Sequence, residues 1–110
     1  GDKFGIERFG WERILVMDEA QTTISIDISN RPVFVFEADF NREYVGDFPT
    51  EMTKHFFETL CLCSGINAHI SIKGTNTHHM IESCFKAFAK TIKTAIAKNN
   101  SQVSSTKGLL

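Results

Sequence analysis

The stretch from Thr22 to Ile28 alternates between polar and apolar side chains, with isoleucine at every second position from Ile24 onward. A period of two residues is typical of a β-strand that buries one face, and it does not fit a helix. A second run rich in aromatic and β-branched residues, Val33 to Ala38, follows the turn-forming sequence Asn30-Arg31-Pro32. The two strands are predicted to pair antiparallel as a hairpin. Their apolar side needs a second layer to cover it.

Two amphipathic helices and one more strand supply that layer. The predicted elements are a helix from about Thr50 to Ser64, a strand from Asn67 to Ile72, and a helix from an N-cap at Asn76 or Thr77 to about Lys98. Apolar spacing predicts the core-facing stripes as Met52, Phe56, Leu60 and Cys63 in the first helix and Ile81, Phe85, Phe88, Ile92 and Ala95 in the second. The order of elements predicts a single α+β domain, a two-layer sandwich with its helices packed on one face of the sheet.

The second helix begins with the pattern His78-His79-x-x-Glu82, followed one turn later by Lys86. At about 100° per residue, His78 and Glu82 lie on nearly the same line, and His79 points away from it. Imidazole with carboxylate suits manganese, iron or zinc, and diverging imidazoles favour two metals or one metal and one substrate contact. The same residues could equally form an ordinary solvated helix face. The pattern alone leaves both interpretations open.

The remaining histidines and the cysteines give weaker signals. His55 lies beside the apolar stripe of the first helix and His69 lies on the third strand, and each alone is typical of an ordinary surface histidine. The three cysteines have neither zinc nor redox spacing. We interpret Cys61, Cys63 and Cys84 as small, mostly buried apolar residues in a reducing compartment.

Composition excludes several classes of protein. The net charge of −1 gives no general electrostatic case for binding nucleic acid or an anionic membrane. No apolar stretch approaches the roughly 20 residues that a membrane span needs, and no signal peptide is recognisable. A soluble, cytoplasmic protein is therefore predicted. The segment from Gly1 to Gly10 carries three glycines and no initiator methionine, so we expect a further element upstream.

The chain after Lys98 is polar and predicts a flexible tail over residues 99–110. Its run Ser104-Ser105-Thr106-Lys107-Gly108 could cradle a phosphate through hydroxyls, backbone amides and an ammonium. Arg31 is a second candidate for binding an anion, because it lies in a turn.

Seven blocks of residues, in order along the whole chain, resemble the C-terminal part of imidazoleglycerol-phosphate dehydratase. They are Gly1-Asp2-Lys3 with Gly5-Ile6 and Arg8-Phe9-Gly10, Met17-Asp18-Glu19-Ala20, Asp27-Ile28-Ser29-Asn30-Arg31-Pro32, Val45-Gly46-Asp47-Phe48, His55-Phe56-Phe57, Asn76-Thr77-His78-His79-Met80-Ile81-Glu82 with Phe85-Lys86-Ala87-Phe88, and Ser105-Thr106-Lys107-Gly108. The resemblance implies a fold like the second domain of ribosomal protein S5, with this chain as the second half of a pseudo-duplicated fold.

The resemblance also implies roles for the matching positions. His55, His78, His79 and Glu82 would be this repeat's ligands for two manganese ions, with Glu82 also catalytic. The substrate phosphate would be bound by Arg8, Arg31, Lys86, Ser105 and Lys107, with the tail over 99–110 able to close on it. Asp18 and Glu19 match an acidic block near the site and receive no precise role. The implied reaction is the dehydration of imidazole glycerol phosphate to imidazole acetol phosphate in histidine biosynthesis, by a homo-oligomer of trimers that assemble into a 24-mer.

Two departures keep alternatives open. The family's first repeat, with its own metal ligands, is absent from this chain, and Asn30 replaces the usual glycine before Arg31. The chain could therefore be inactive without its missing N-terminal half, or it could be a non-catalytic metal-binding assembly module. A zinc hydrolase is disfavoured because neither His-Glu-x-x-His nor His-x-x-Glu-His occurs.

Overall fold

The computed structural model of the 110-residue chain describes the backbone of residues 10–28 and 31–109, and the side chains of these residues as far as Ala97. In chain order the strands and helices are β1 (Gly10–Met17), β2 (Ala20–Ile28), β3 (Phe34–Ala38), β4 (Tyr44–Val45), β5 (Phe48–Pro49), α1 (Glu51–Ser64), β6 (Ile66–Lys73) and α2 (Thr77–Leu109). Strands β4 and β5 form a small hairpin of their own.

The main sheet has the order β1-β2-β6-β3. Strand β2 pairs antiparallel with β1 on one side and with β6 on the other. The predicted antiparallel pairing of the second strand with the first is wrong, because both edges of β2 are already occupied. Strand β3 instead pairs with β6, parallel, from Phe34 opposite Ala68 to Ala38 opposite Ile72. Helix α1 makes the crossover that two parallel strands require.

Strand β1 was not predicted, because apolar residues lie on both of its faces. Trp11 and Leu15 are half-buried against the core, whereas Ile14 and Val16 on the opposite face are exposed. The turn to β2 consists of Asp18 and Glu19, and Asp18 has a φ of 52°. Aspartate tolerates this left-handed conformation better than most residues. The turn places two carboxylates at one end of the sheet.

The core lies between one face of the sheet and the two helices, as predicted. Alternate residues of β2 and β6 are buried, and they meet the inward side of α2. The buried apolar residues include Ile24, Ile26, Ala68, Ile70 and Ile72 from the sheet and Met80, Cys84, Ala87, Phe88 and Ala95 from α2. The arrangement of helices on one face of a mixed sheet is confirmed.

The predicted core stripe of α1 is wrong by one position. The helix buries Thr53, Phe57 and Cys61 and leaves the stripe Met52, Phe56 and Leu60 between 37% and 48% exposed, with Cys63 exposed as well. Both rows are largely apolar, so periodicity could not tell which row faces the sheet. The helix ends at Gly65, whose φ of 71° is the left-handed conformation that favours glycine at a C-cap.

Helix α2 is longer than predicted. It continues to Leu109, so the predicted end near Lys98 is wrong. The predicted flexibility of residues 99–110 stays a prediction. No proline or glycine interrupts residues 75–107, and a polar composition does not by itself stop a helix. Of the predicted stripe, Ile81, Phe88 and Ala95 are buried, Ile92 is half-buried and Phe85 is 37% exposed. No helix in the described part of the chain is long and apolar enough to span a membrane.

The cysteines are all free, and two of them are buried as expected. Burial raises the pKa of the Cys61 thiol to about 11 and that of Cys84 to about 12. Both thiols therefore stay protonated at neutral pH, which fits apolar packing residues. Cys63 differs, because it lies on the exposed side of α1.

Candidate functional site

The start of α2 is fixed by its own N-cap and by hydrogen bonds with Asn41. The Asn76 side-chain Oδ1 accepts the backbone N–H of His79 at 3.1 Å, which confirms Asn76 as the N-cap. The Thr77 hydroxyl donates to Asn41 Oδ1 at 2.6 Å, and Asn41 Nδ2 donates to the carbonyl oxygen of Thr75 at 3.0 Å. These bonds fix the first turn, on which both histidines lie.

From the first turn onward, one side of α2 carries a continuous line of polar side chains. His78 Nε2 lies 3.1 Å from Glu82 Oε1, and Glu82 Oε2 lies 2.8 Å from Lys86 Nζ. The predicted alignment of His78 and Glu82 is therefore confirmed. The pKa of Glu82 is lowered, chiefly by its hydrogen bond with Lys86, against a smaller opposing effect of desolvation. Glu82 is thus an ionised, solvent-accessible carboxylate between an imidazole and an ammonium.

His79 points to a different set of partners. Its ring centre lies 6.1 Å from that of His78 with the planes at 75°, so the predicted divergence is confirmed. Its Nδ1 lies 2.7 Å from Oε1 of Glu19, and its Nε2 lies 3.8 Å from Oδ2 of Asp18. Glu19 Oε2 in turn accepts the backbone N–H groups of Thr75 and Asn76 at 3.1 and 3.0 Å.

These contacts shift the pKa values of both partners. The hydrogen bond with His79, followed by that from Asn76, lowers the pKa of Glu19 from 4.5 to about 2. The same hydrogen bond with Glu19 raises the pKa of His79. The resemblance placed Asp18 and Glu19 near the site without a precise role, because their position becomes informative only once β1 is known. Had β1 been predicted, an Asp-Glu pair between two strands would have indicated a turn at this end of the sheet.

Of the other candidate residues, the structure describes the side chains of His55 and Arg31. His55 is exposed on α1, and Arg31 is exposed beyond the end of β2. Arg8 lies outside the described residues, and the side chains of Ser105 and Lys107 lie beyond the described part of α2. Within residues 10–28 and 31–97, no three side chains of histidine, cysteine, aspartate or glutamate converge on a position that could hold a metal ion.

The donor set nevertheless fits part of a metal centre. His78 and Glu82 offer an imidazole nitrogen and a carboxylate oxygen on the same accessible side of α2, a combination that suits manganese, iron or zinc. Two donors from one helix do not complete a coordination sphere. The remaining donors would have to come from His55, from His79, or from outside this chain.

An apolar cavity of about 320 Å³ adjoins the polar line. Its lining consists of His78 and Glu82 together with Val45, Phe48, Ile81 and Phe85. Apolar walls with a few polar groups beside them are typical of surfaces that bind small molecules. The hairpin β4–β5 and the start of α2 thus form a concave surface around the candidate residues.

The amino-acid sequence of this chain is similar to those of known proteins. The family model of imidazoleglycerol-phosphate dehydratase matches residues 1–92. The histidine biosynthesis bifunctional protein HisB of Stenotrophomonas maltophilia strain K279a is 48% identical over 110 residues, which cover 100% of this chain and 30% of that protein. The corresponding protein of Xanthomonas campestris pv. campestris strain B100 is 42% identical, with 34% of it covered. This chain therefore spans about a third of the length of these curated relatives.

Solved structures match the fold. Imidazoleglycerol-phosphate dehydratase from Staphylococcus aureus superimposes with a TM-score of 0.72 at 38% identity, covering 78% of this chain and 51% of that one. The Pyrococcus furiosus structure of IGPD in complex with (S)-C348 gives a TM-score of 0.67 at 30% identity, covering 79% of this chain and 49% of that one. The predicted mixed α+β fold and the resemblance drawn from the seven blocks are both confirmed. The chain belongs to the imidazoleglycerol-phosphate dehydratase family.

Proposed function

We propose that this chain is the C-terminal part of a manganese-dependent hydro-lyase that converts imidazole glycerol phosphate to imidazole acetol phosphate in the cytoplasm. The observation that carries the proposal is the line His78, Glu82 and Lys86 on one side of α2, in a chain that belongs to this family. The names of the curated relatives, which place them in histidine biosynthesis, support the pathway.

Dehydration breaks a C–H bond whose proton is barely acidic and the neighbouring C–O bond. A base takes the proton, the hydroxyl group leaves as water with a proton, and the enol that remains becomes the ketone. Glu82 suits the role of base, because its carboxylate is ionised and lies at the edge of a cavity that a substrate could enter. When bound, manganese would stabilise the negative charge that develops on the substrate's imidazole ring. His55, His78, His79 and Glu82 would be this chain's ligands for it.

Lys86 would connect the base to the substrate phosphate. An ammonium has three donors, and the contact with Glu82 at 2.8 Å uses one of them. Two donors remain for phosphate oxygens, so Lys86 can hold the phosphate at a fixed distance from the base. Arg8, Arg31, Ser105 and Lys107 would complete the phosphate site. Holding the substrate in a fixed position relative to the base lowers the barrier to reaction, because less entropy is lost on reaching the transition state.

The incomplete ligand set within the described residues supports a further element of the proposal. The site would be completed by a first repeat, which the relatives are long enough to contain, in a homo-oligomer of trimers. The isolated chain would then bind manganese weakly and turn over little or no substrate. Activity would require the complementary segment.

The test measures formation of imidazole acetol phosphate by the chain with manganese, alone and together with the segment of the Staphylococcus aureus relative that this chain does not match. We expect activity in the second arm only. Glu82→Gln should lower that activity by about 10²–10⁴-fold. The matched control is Glu37→Gln, because Glu37 is an exposed glutamate on β3 and away from α2.

Each other outcome has a definite meaning. Near-normal turnover by Glu82→Gln would refute the assignment of the base. An oligomer that dissociates on chelation, with no dehydration in either arm, would favour the metal-binding assembly module instead.

A further inference from the structure

The carboxylate of Glu19 uses both of its oxygens at the start of α2. Oε1 contacts His79 Nδ1 at 2.7 Å, and Oε2 accepts the backbone N–H groups of Thr75 and Asn76. Glu19 comes from the turn between β1 and β2, whereas its three partners belong to the loop and first turn 56 to 60 residues later. One side chain therefore sets both where the helix begins and how the His79 ring is oriented.

The contact also determines which ring nitrogen carries the proton. An ionised carboxylate can only accept hydrogen bonds, so His79 Nδ1 must be the donor at 2.7 Å. In a neutral imidazole the other nitrogen, Nε2, then keeps its lone pair. The nearest carboxylate oxygen to Nε2, Asp18 Oδ2, is 3.8 Å away and is too distant for a hydrogen bond. Nε2 is left as an acceptor or a ligand.

The surroundings of Glu19 leave its carboxylate little freedom to move. A Cβ atom at Gly74 would come within 3.0 Å of Oε2, and within 3.1 Å of the Ala20 Cα atom. The absence of a side chain at position 74 therefore makes room for the carboxylate against the backbone of the loop. Two backbone donors and one imidazole then hold it in one orientation.

We propose that Glu19 is a positioning residue for His79, which holds the imidazole with its proton on Nδ1 so that Nε2 is available to a metal ion or to substrate. Ligating histidines commonly donate their second nitrogen to a carboxylate, which fixes the ring and raises its basicity. The metal-binding part of this inference rests on the proposed function. The assignment of the tautomer does not.

The test observes the tautomer directly in the metal-free chain. The 110-residue chain labelled with ¹⁵N-histidine is studied by long-range ¹H–¹⁵N NMR with a chelator present, at a pH where His79 is neutral. We expect His79 to be protonated on Nδ1, and Glu19→Ala to move most of the population to the Nε2-protonated form that free histidine prefers. Asp18→Asn is the matched control in the same turn and should leave the tautomer unchanged.

Folding of the variants is judged from the signals of His55 and His69, which lie elsewhere in the fold. If Glu19→Ala does not fold, Glu19→Gln replaces it, because its single amide oxygen cannot serve both the imidazole and the two backbone donors. The Nε2-protonated fraction must then exceed that of the wild type. Wild-type His79 protonated on Nε2, or a folded Glu19 variant with the wild-type tautomer, would overturn the proposal.

A second readout separates this inference from the proposed function. Calorimetric titration with Mn²⁺ uses the chain together with the complementary Staphylococcus aureus segment, because the chain alone is expected to bind manganese weakly. The affinity should be about 10–100-fold lower for Glu19→Ala than for the wild type. A wild-type chain with the Nδ1-protonated tautomer but no Mn²⁺ binding beside that segment would count against the metal site and leave the positioning role intact. Mn²⁺ binding by a wild-type chain with His79 protonated on Nε2 would support the metal site and overturn the positioning role of Glu19.

Discussion

The Nδ1 atom of His79 lies 2.7 Å from the Oε1 atom of Glu19, although 60 positions separate these residues in the sequence. The contact joins the turn between β1 and β2 to the first turn of α2. The pKa of His79 therefore depends on Glu19, in a turn that contributes no candidate ligand.

Stability of the metal-free chain should depend on pH through this pair. The pKa of Glu19 is lowered from 4.5 to about 2, so its contribution is fully present above 4.5 and is lost as the pH falls toward 2. The pKa of His79 is raised from 6.5, so its contribution is fully present below 6.5 and is lost as the pH rises through the raised value. The pair stabilises the fold most between these limits.

Thermal unfolding with a chelator present should therefore show a lower Tm at about pH 9 than at about pH 6. His79→Asn should flatten this dependence. His69→Asn should not, because His69 is exposed on the face of β6 that points away from the helices. Equal slopes for all three proteins would rule out a contribution from the pair.

A buried hydroxyl pair joins the sheet to α2. Thr22 Oγ1 and Ser83 Oγ are 2.6 Å apart and both residues are fully buried, and the Ser83 hydroxyl donates to the carbonyl oxygen of Met80. Ser83→Ala should cost about 1–3 kcal/mol, because it leaves the Thr22 hydroxyl without a partner. Thr22→Val should cost less, since Ser83 keeps its bond to Met80.

Urea unfolding of both single variants and of the double variant measures this difference. The double variant should be less destabilised than the sum of the two single changes, because no orphaned hydroxyl remains. Strict additivity would show that the two hydroxyls contribute independently.

Phe57 and Phe56 provide a matched pair of core and surface rings. Phe57 is 1% exposed and lies within 5.1 Å, centre to centre, of the rings of Phe56, Phe85 and Phe88, whereas Phe56 is 48% exposed. Phe57→Ala should lower the free energy of unfolding by about 3–5 kcal/mol. Phe56→Ala should cost less than half as much. Similar costs measured by urea unfolding of the chain alone would mean that α1 faces the sheet in the other orientation.

Gly74→Ala should disturb the site as well as the fold. The added Cβ would meet Met80 Cγ at 2.9 Å, Glu19 Oε2 at 3.0 Å and the Ala20 Cα atom at 3.1 Å, and the last is backbone that cannot easily move. We expect a loss of about 1–3 kcal/mol together with a changed His79 imidazole signal. Gly46→Ala is the control: its φ of 59° also strains an alanine, but open space surrounds the Cβ. It should destabilise the chain and leave the His79 signal unchanged.

Several features of the fold could be predicted because they depend on neighbours in the chain. The alternation in β2 and β6, the end of α1 near Gly65, and the alignment of His78 with Glu82 all follow from local geometry. Two of the failures have a common cause. Strand β1 and helix α1 each carry apolar residues on two sides, and periodicity cannot choose between two apolar sides.

The family and the periodicity of most elements follow from the order of residues along the chain. So does the line of polar groups on α2, because a helix of known pitch fixes the relation of residues four apart. Packing between distant segments, by contrast, pairs β3 with β6, buries Phe57 rather than Phe56, and brings Glu19 to His79. These outcomes depend on which surfaces compete for the same partner. Strand β2 has only two edges, and the sheet packs against only one side of α1. Strand pairing and the buried side of α1 are therefore decided when the layers pack together.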